Sequence, residues 1–134
     1  MDQSNKFWIV TDLDGTLMDE NYDISPALET LQITKQLGIP VIPCTSKTAR
    51  EVELFQKKFG LESPYIVENG GAIYGKNSHT SKVWELVLGK SYFQLRPILD
   101  ILSEKIGFKL RELKDLSKEE ITNLTGLKGE GIAL

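Results

Sequence analysis

An α/β fold built on a doubly wound parallel sheet is what this sequence predicts, and three observations carry that prediction. Short apolar runs at Phe7 to Thr11, Pro40 to Cys44 and Tyr65 to Glu68 have the length and content of buried strands. Stretches with apolar residues at helical spacing separate them, and crossovers of that length place successive strands parallel, with helices on both faces of the sheet. The alternation then loses its regularity, which predicts two parts: residues 1–81 as the first half of the sheet-bearing core, and 82–134 as the start of a second, inserted α+β layer.

The elements follow in order. Phe7 to Val10 is the first strand, and the polar, Gly-containing stretch Asp12 to Asp23 is a loop. Ser25-Pro26 opens a helix, with Ser as its cap, Pro at its first position and Gly38 at its stop. Ala27, Leu28, Leu31 and Leu37 form its apolar side. After the second strand, Ala49, Val52, Phe55 and Phe59 recur at helical spacing from Thr48 to Phe59, and Gly60 ends that helix. Asn69-Gly70-Gly71 breaks the third strand. Ala72 to Tyr74 and Val83 to Leu88 read as two strands of a hairpin-like excursion through the polar loop Gly75 to Ser81. Leu95, Ile98, Leu99, Leu102 and Ile106 share one face of an amphipathic helix punctuated by Gly107, and Phe108 to Leu110 suggests another strand. Ser117 and Glu120 make a capping-box pattern for a short helix ending near Gly126. The apolar terminus Ile132-Ala133-Leu134 carries no stop signal, which reads as truncation.

Composition narrows the function classes. The 134 residues are 40% apolar and 26% charged, ordinary for a globular chain. A net charge of −3 argues against a nucleic-acid footprint and against a basic membrane-surface patch. The lone Cys44 excludes an internal disulfide framework and fits a reducing compartment. No apolar run approaches the length of a signal core or a membrane span, so a cytoplasmic location is expected.

The acidic loop after the first strand concentrates the chemistry. Asp12-Leu13-Asp14-Gly15-Thr16-Leu17 follows Phe7-Trp8-Ile9-Val10 directly. Ligands of open parallel sheets bind at the carboxyl ends of strands, and the turn that Gly15 permits lets both carboxylates face one site. Two hard oxygen anions suit Mg²⁺, which keeps several waters and bridges to phosphate. An aspartate there can also attack phosphorus and form an acyl phosphate. An EF-hand calcium loop counted from Asp12 fails, because Leu17 stands where Gly is required and a strand, not a helix, precedes it. A solvated turn explains any one of these residues alone, but not the hexapeptide in its strand-to-loop setting.

This hexapeptide resembles the first motif of the haloacid dehalogenase-like phosphatases. The resemblance implies Asp12 as nucleophile, and Asp14 as the acid for the leaving alkoxide and later the base for water. It also implies a Mg²⁺ ion held by the Asp12 carboxylate and the Asp14 main-chain carbonyl. The fold implied is an incomplete doubly wound core of the haloacid dehalogenase type with the beginning of an inserted α+β cap. The family's intermediate-stabilising lysine and downstream acidic pair have no match here. Two later strands of that family lie beside the first, so Phe7 to Val10 is expected to expose an apolar edge open to self-association.

The other strand ends extend the site. Cys44-Thr45-Ser46-Lys47-Thr48 closes the second strand and opens a helix, where backbone N–H groups, hydroxyls and one cation favour an anion. A Ser/Thr cap with a surface lysine is the bland alternative. In the family, Thr or Ser at this strand end binds the transferring phosphoryl group, a position that Thr45 occupies; Ser46 and Lys47 are its expected companions. The Pro43-to-Thr48 wording resembles the mannosyl-3-phosphoglycerate phosphatase branch. That branch also carries Glu68-Asn69-Gly70 as a substrate-facing loop, with Asn69 and Gly70 as expected substrate contacts, and a segment like Leu124-Thr125-Gly126-Leu127 in its cap. The substrate implied is a mannosyl- or glucosyl-3-phosphoglycerate. Another sugar phosphatase, of the sucrose-phosphate type, is the alternative within the class, and a non-catalytic binding fragment is the alternative outside it. Cys44, Trp8 and Trp84 read as core, His79 as an exposed loop residue, and Arg96 and Arg111 as solvated.

Overall fold

The computed structural model describes residues 7–77 and 79–126. The expected apolar terminus Ile132-Ala133-Leu134 and Leu127 of the cap-like segment lie outside them. Residues up to Lys90 form one compact unit, and those from Ser91 onward a second. The division therefore falls later than Lys82, because the strand after Lys82 pairs back onto the first unit.

In the first unit, β1 (Ile9–Thr11) pairs in parallel with β2 (Val41–Pro43), Val10 standing opposite Ile42. The third strand, β3 (Tyr65–Val67), joins β2 through a single parallel bridge between Cys44 and Ile66. β3 then pairs antiparallel with β4 (Ala72–Lys76), and β4 antiparallel with β5 (Val83–Val87), which is the expected hairpin. Helix α1 (Leu28–Gln36) connects β1 to β2, and α2 (Ala49–Phe59) connects β2 to β3. Leu13, Ile24, Leu31, Val41, Val52, Phe55, Tyr65 and Val67 are buried together as the core of this unit. Tyr65 ties α2 to β3 by donating its hydroxyl hydrogen to Glu53, 3.3 Å away. Burial, followed by the charge and hydrogen bond of Glu53, pushes its phenol up to about 12.

Several expectations need correction. Ser25 does not cap α1: Ser25–Ala27 is a 3₁₀ turn following Ile24, and the Ser25 hydroxyl donates to Asp23 Oδ1 at 2.6 Å. The first strand is not buried, since Ile9 is 40% and Val10 56% exposed. Among the described residues β1 has a strand on one side only. Trp8 is exposed rather than core. Trp84 is also exposed, its ring lying so close over Gly75 that a Cβ there would sit 2.4 Å from it. Cys44 is half-buried.

The second unit holds α3 (Tyr92–Ile106) and α4 (Lys118–Thr125), joined through a 3₁₀ turn at Leu113–Asp115. Both helices open with capping boxes, Ser91 with Gln94 and Ser117 with Glu120. Gly107 ends α3 in the left-handed conformation, as its position suggested. Phe108 to Leu110 forms no strand. That segment folds back on α3, with Phe108 N–H donating to the Ser103 carbonyl and Leu110 N–H to the Ser103 hydroxyl. Arg96 pairs with Asp100 and Glu112, and Arg111 with Glu120.

Candidate functional site

Because β1, β2 and β3 run parallel, their carboxyl ends share one edge, and the loops leaving them meet there. After β1 the chain turns sharply. Gly15 has φ +71, a conformation that a side chain would strain, and Met18 N–H closes the turn on the Leu13 carbonyl at 2.8 Å. Leu13 is fully buried and anchors the turn to the core. Asp12, next to it, is exposed, and its Oδ1 accepts the Leu13 N–H at 2.8 Å.

The second loop meets the first through a charge. Lys47 Nζ lies 3.0 Å from Asp14 Oδ1, with side chains 19% and 39% exposed. This Asp14 oxygen is shut off from water and receives no well-directed hydrogen bond, so the lysine neutralises it as an ion pair without satisfying it as an acceptor. On its other side Lys47 Nζ stands 5.2 Å from the centre of the Tyr22 ring. Thr45 is almost fully buried and its Oγ1 accepts the Lys47 N–H at 3.2 Å. Ser46 is exposed. Thr48 caps α2 in a reciprocal box with Glu51.

The third loop is hung on the second. Glu68 N–H donates to the Lys47 carbonyl at 3.0 Å, and Asn69 N–H to the Thr45 carbonyl at 3.1 Å. Those two bonds hold Glu68 (φ 51) and Asn69 (φ 56) in the left-handed region, beside Gly70 at φ 90. Successive non-glycine residues there are strained, and such strain persists only where surrounding bonds over-determine it. Asn69 thus reaches the phosphate-loop candidates through its backbone, and its side chain stays exposed.

All seven residues singled out from sequence therefore lie on three loops at one end of the strands. Asp14 and Lys47 are brought into contact, and Thr45 is buried at the start of the second loop. Tyr22 was not foreseen. Its only signal in sequence is an aromatic residue set among the polar residues Asp19 to Asp23. Among the described residues no three His, Cys, Asp or Glu side chains converge as a closed metal cage.

A doubly wound edge presenting this acidic loop defines a class, and comparison with known proteins agrees with it. Residues 9–107 match the family described as haloacid dehalogenase-like hydrolase, and the chain belongs to that family. It is 38% identical to the glucosyl-3-phosphoglycerate/mannosyl-3-phosphoglycerate phosphatase of Persephonella marina, over 89% of this chain and 47% of that protein. It is also 38% identical to the protein of the same name from Methanococcoides burtonii, over 91% and 49%. The chain thus spans about half the length of the curated relatives it matches. Among solved structures, a haloacid dehalogenase-like hydrolase from Bacillus subtilis superposes with a TM-score of 0.57 at 23% identity, covering 74% of this chain and 34% of that one. Another from Bacteroides thetaiotaomicron gives 0.56 at 21%, covering 74% and 37%. These two likenesses speak for the fold.

Proposed function

We propose that this chain forms part of a cytoplasmic phosphatase that hydrolyses a mannosyl- or glucosyl-3-phosphoglycerate through an aspartyl-phosphate on Asp12. The observation that carries the reading is the contact of Lys47 with Asp14 at the carboxyl ends of parallel strands, Nζ 3.0 Å from Oδ1, on the loop that the exposed Asp12 opens. The two named relatives support the sugar-phosphoglycerate substrate. No described helix is long and apolar enough to cross a membrane.

The donor set fits Mg²⁺: the exposed Asp12 carboxylate and the Asp14 main-chain carbonyl offer hard oxygens, and that ion needs only one or two carboxylates beside water and phosphate oxygens. When bound, it neutralises charge on the transferring phosphoryl group. The chain's own residues do the rest. The exposed Asp12 carboxylate attacks phosphorus as the alkoxide leaves. Asp14 gives the alkoxide its proton and then takes one from the water that hydrolyses the acyl phosphate. Thr45 and Lys47 hold the phosphoryl oxygens with one hydroxyl and one cation.

The test traps the nucleophile without requiring turnover. Beryllium fluoride with MgCl₂ mimics an aspartyl-phosphate, and the wild-type chain is expected to show a bound ¹⁹F resonance that Asp12→Asn abolishes while its circular dichroism stays unchanged. A bound signal that survives in Asp12→Asn would place the nucleophile elsewhere. In a full-length relative carrying the same loops, inorganic phosphate released from glucosyl-3-phosphoglycerate, compared with sucrose 6-phosphate, then separates the two substrate readings.

A further inference from the structure

Tyr22 is out of place by the rules of its own loop. Its φ is +60, a region that Gly or Asn enters freely and that a bulky side chain enters only under strain. The loop is locked around it. Asp19 Oδ1 accepts the N–H groups of Asn21 and Asp23, each at 2.8 Å, and Tyr22 N–H donates to the Asp19 carbonyl at 3.0 Å. The residue is 61% exposed, so core packing does not explain it. What it does touch is Lys47, whose ammonium stands 5.2 Å from the ring centre and 3.0 Å from Asp14. A cation within about 6 Å of an aromatic centroid is attracted by the ring's negative face.

We infer that Tyr22 is a positioning residue for the phosphate site. Its ring and the Asp14 carboxylate hold the Lys47 ammonium between them, so that the cation is already in place when a phosphoryl dianion arrives. A free lysine has four rotatable bonds and would have to be ordered by the ligand; a held one loses less freedom on binding. The inference rests on the phosphatase reading, because it gives Lys47 a phosphoryl ligand. It adds to that site a residue from the far end of the loop that leaves β1.

The experiment uses the 134-residue chain, with ¹H–¹³C spectra for the geometry and calorimetry with inorganic phosphate in MgCl₂ for its consequence. In wild type the Lys47 Hε protons are expected upfield of ordinary lysine, shifted by the Tyr22 ring current. Tyr22→Phe keeps the ring and should keep both the shift and the affinity. Tyr22→Leu leaves the backbone strain as it is, abolishes the shift and weakens phosphate about three- to fivefold, the effect of losing one exposed cation–π contact. In a Lys47→Met background Tyr22→Leu should cost nothing further, since the ring then has no cation to hold. An unshifted Lys47 in wild type overturns the contact. A shifted Lys47 with equal phosphate affinity in wild type and Tyr22→Leu overturns the positioning role and leaves the phosphatase reading standing. A wild type that takes up no phosphate overturns that reading and this inference with it.

Discussion

Thr45 shows how a single hydroxyl can serve both fold and ligand. It is 3% exposed, at the point where β2 hands over to α2, and its Oγ1 accepts the Lys47 N–H. Valine has nearly the same shape but would leave that N–H without its partner and remove a donor to the phosphoryl group. Thr45→Val should therefore weaken inorganic phosphate by roughly 1–3 kcal/mol, the usual range for a lost hydrogen bond to a charged group. Ser46→Ala should change affinity less, because Ser46 is exposed. Calorimetry with phosphate decides it: equal affinity of Thr45→Val and wild type would remove Thr45 from the anion site. Asp14 calls for a different expectation. Asp14→Asn removes both the proton carrier and the charge that Lys47 faces, so turnover in a complete relative carrying the same loop should fall at least ~10²-fold. Retained turnover there, by phosphate release, would exclude Asp14 as acid and base.

At the scale of elements, α2 is the support for the phosphate loop, and its start depends on one carboxylate. Glu51 accepts from both the Thr48 N–H (2.8 Å) and the Thr48 hydroxyl (2.7 Å). Burial pushes the Glu51 carboxyl up, but the two Thr48 hydrogen bonds and then the Lys47 charge outweigh it, and the net shift is downward from 4.5. A carboxylate with a lowered folded value stabilises the fold above its ordinary value, and that contribution is lost as pH falls through the lowered one. The Tm advantage of wild type over Glu51→Gln should accordingly be full near neutrality and shrink once pH drops below about 4.5. A difference in Tm unchanged from pH 7 to pH 3 would show that the capping charge contributes nothing. Much of this level was legible beforehand. Thr48 before an apolar-periodic run, Ser117 followed by Glu120, and Gly60, Gly107 and Gly126 at helix ends are local signals with local causes. The differences arise where a competing hydrogen bond takes the donor. Phe108 to Leu110 reads as a strand by composition, but the Ser103 backbone and hydroxyl take its N–H groups. Ser25 has the residue type of a cap, but Asp23 captures its hydroxyl first. The site divides in the same way. Asp12, Asp14 and Thr45 announce themselves by motif, whereas the Tyr22–Lys47 contact joins loops 25 residues apart that no spacing rule connects.

For the whole molecule, the open feature is the β1 side of the first unit. Phe7 and Trp8 are each 70% exposed, Val10 is 56% exposed, and β1 has only β2 beside it among the described residues. Between β1 and α1 a largely apolar cavity of about 90 Å³ is lined by Ile9, Leu17, Ala27 and Leu31, so packing on this side is also incomplete. An apolar strand with unpaired N–H and C=O groups is a template for another strand. A net charge of −3 provides little repulsion to keep copies apart. The 134-residue chain should then self-associate as concentration rises, β1 against β1, with Trp8 emission moving to shorter wavelength as its ring leaves water. Trp84→Phe is the background for that reading, since it leaves Trp8 as the sole tryptophan. Val10→Lys places a charge on the edge and should return the chain to monomer while leaving phosphate binding intact, because Val10 lies outside the three strand-end loops. Sedimentation velocity over a range of concentrations reads the outcome. A wild type that stays monomeric throughout, or association that Val10→Lys leaves untouched, would mean that β1 is not the surface through which copies meet.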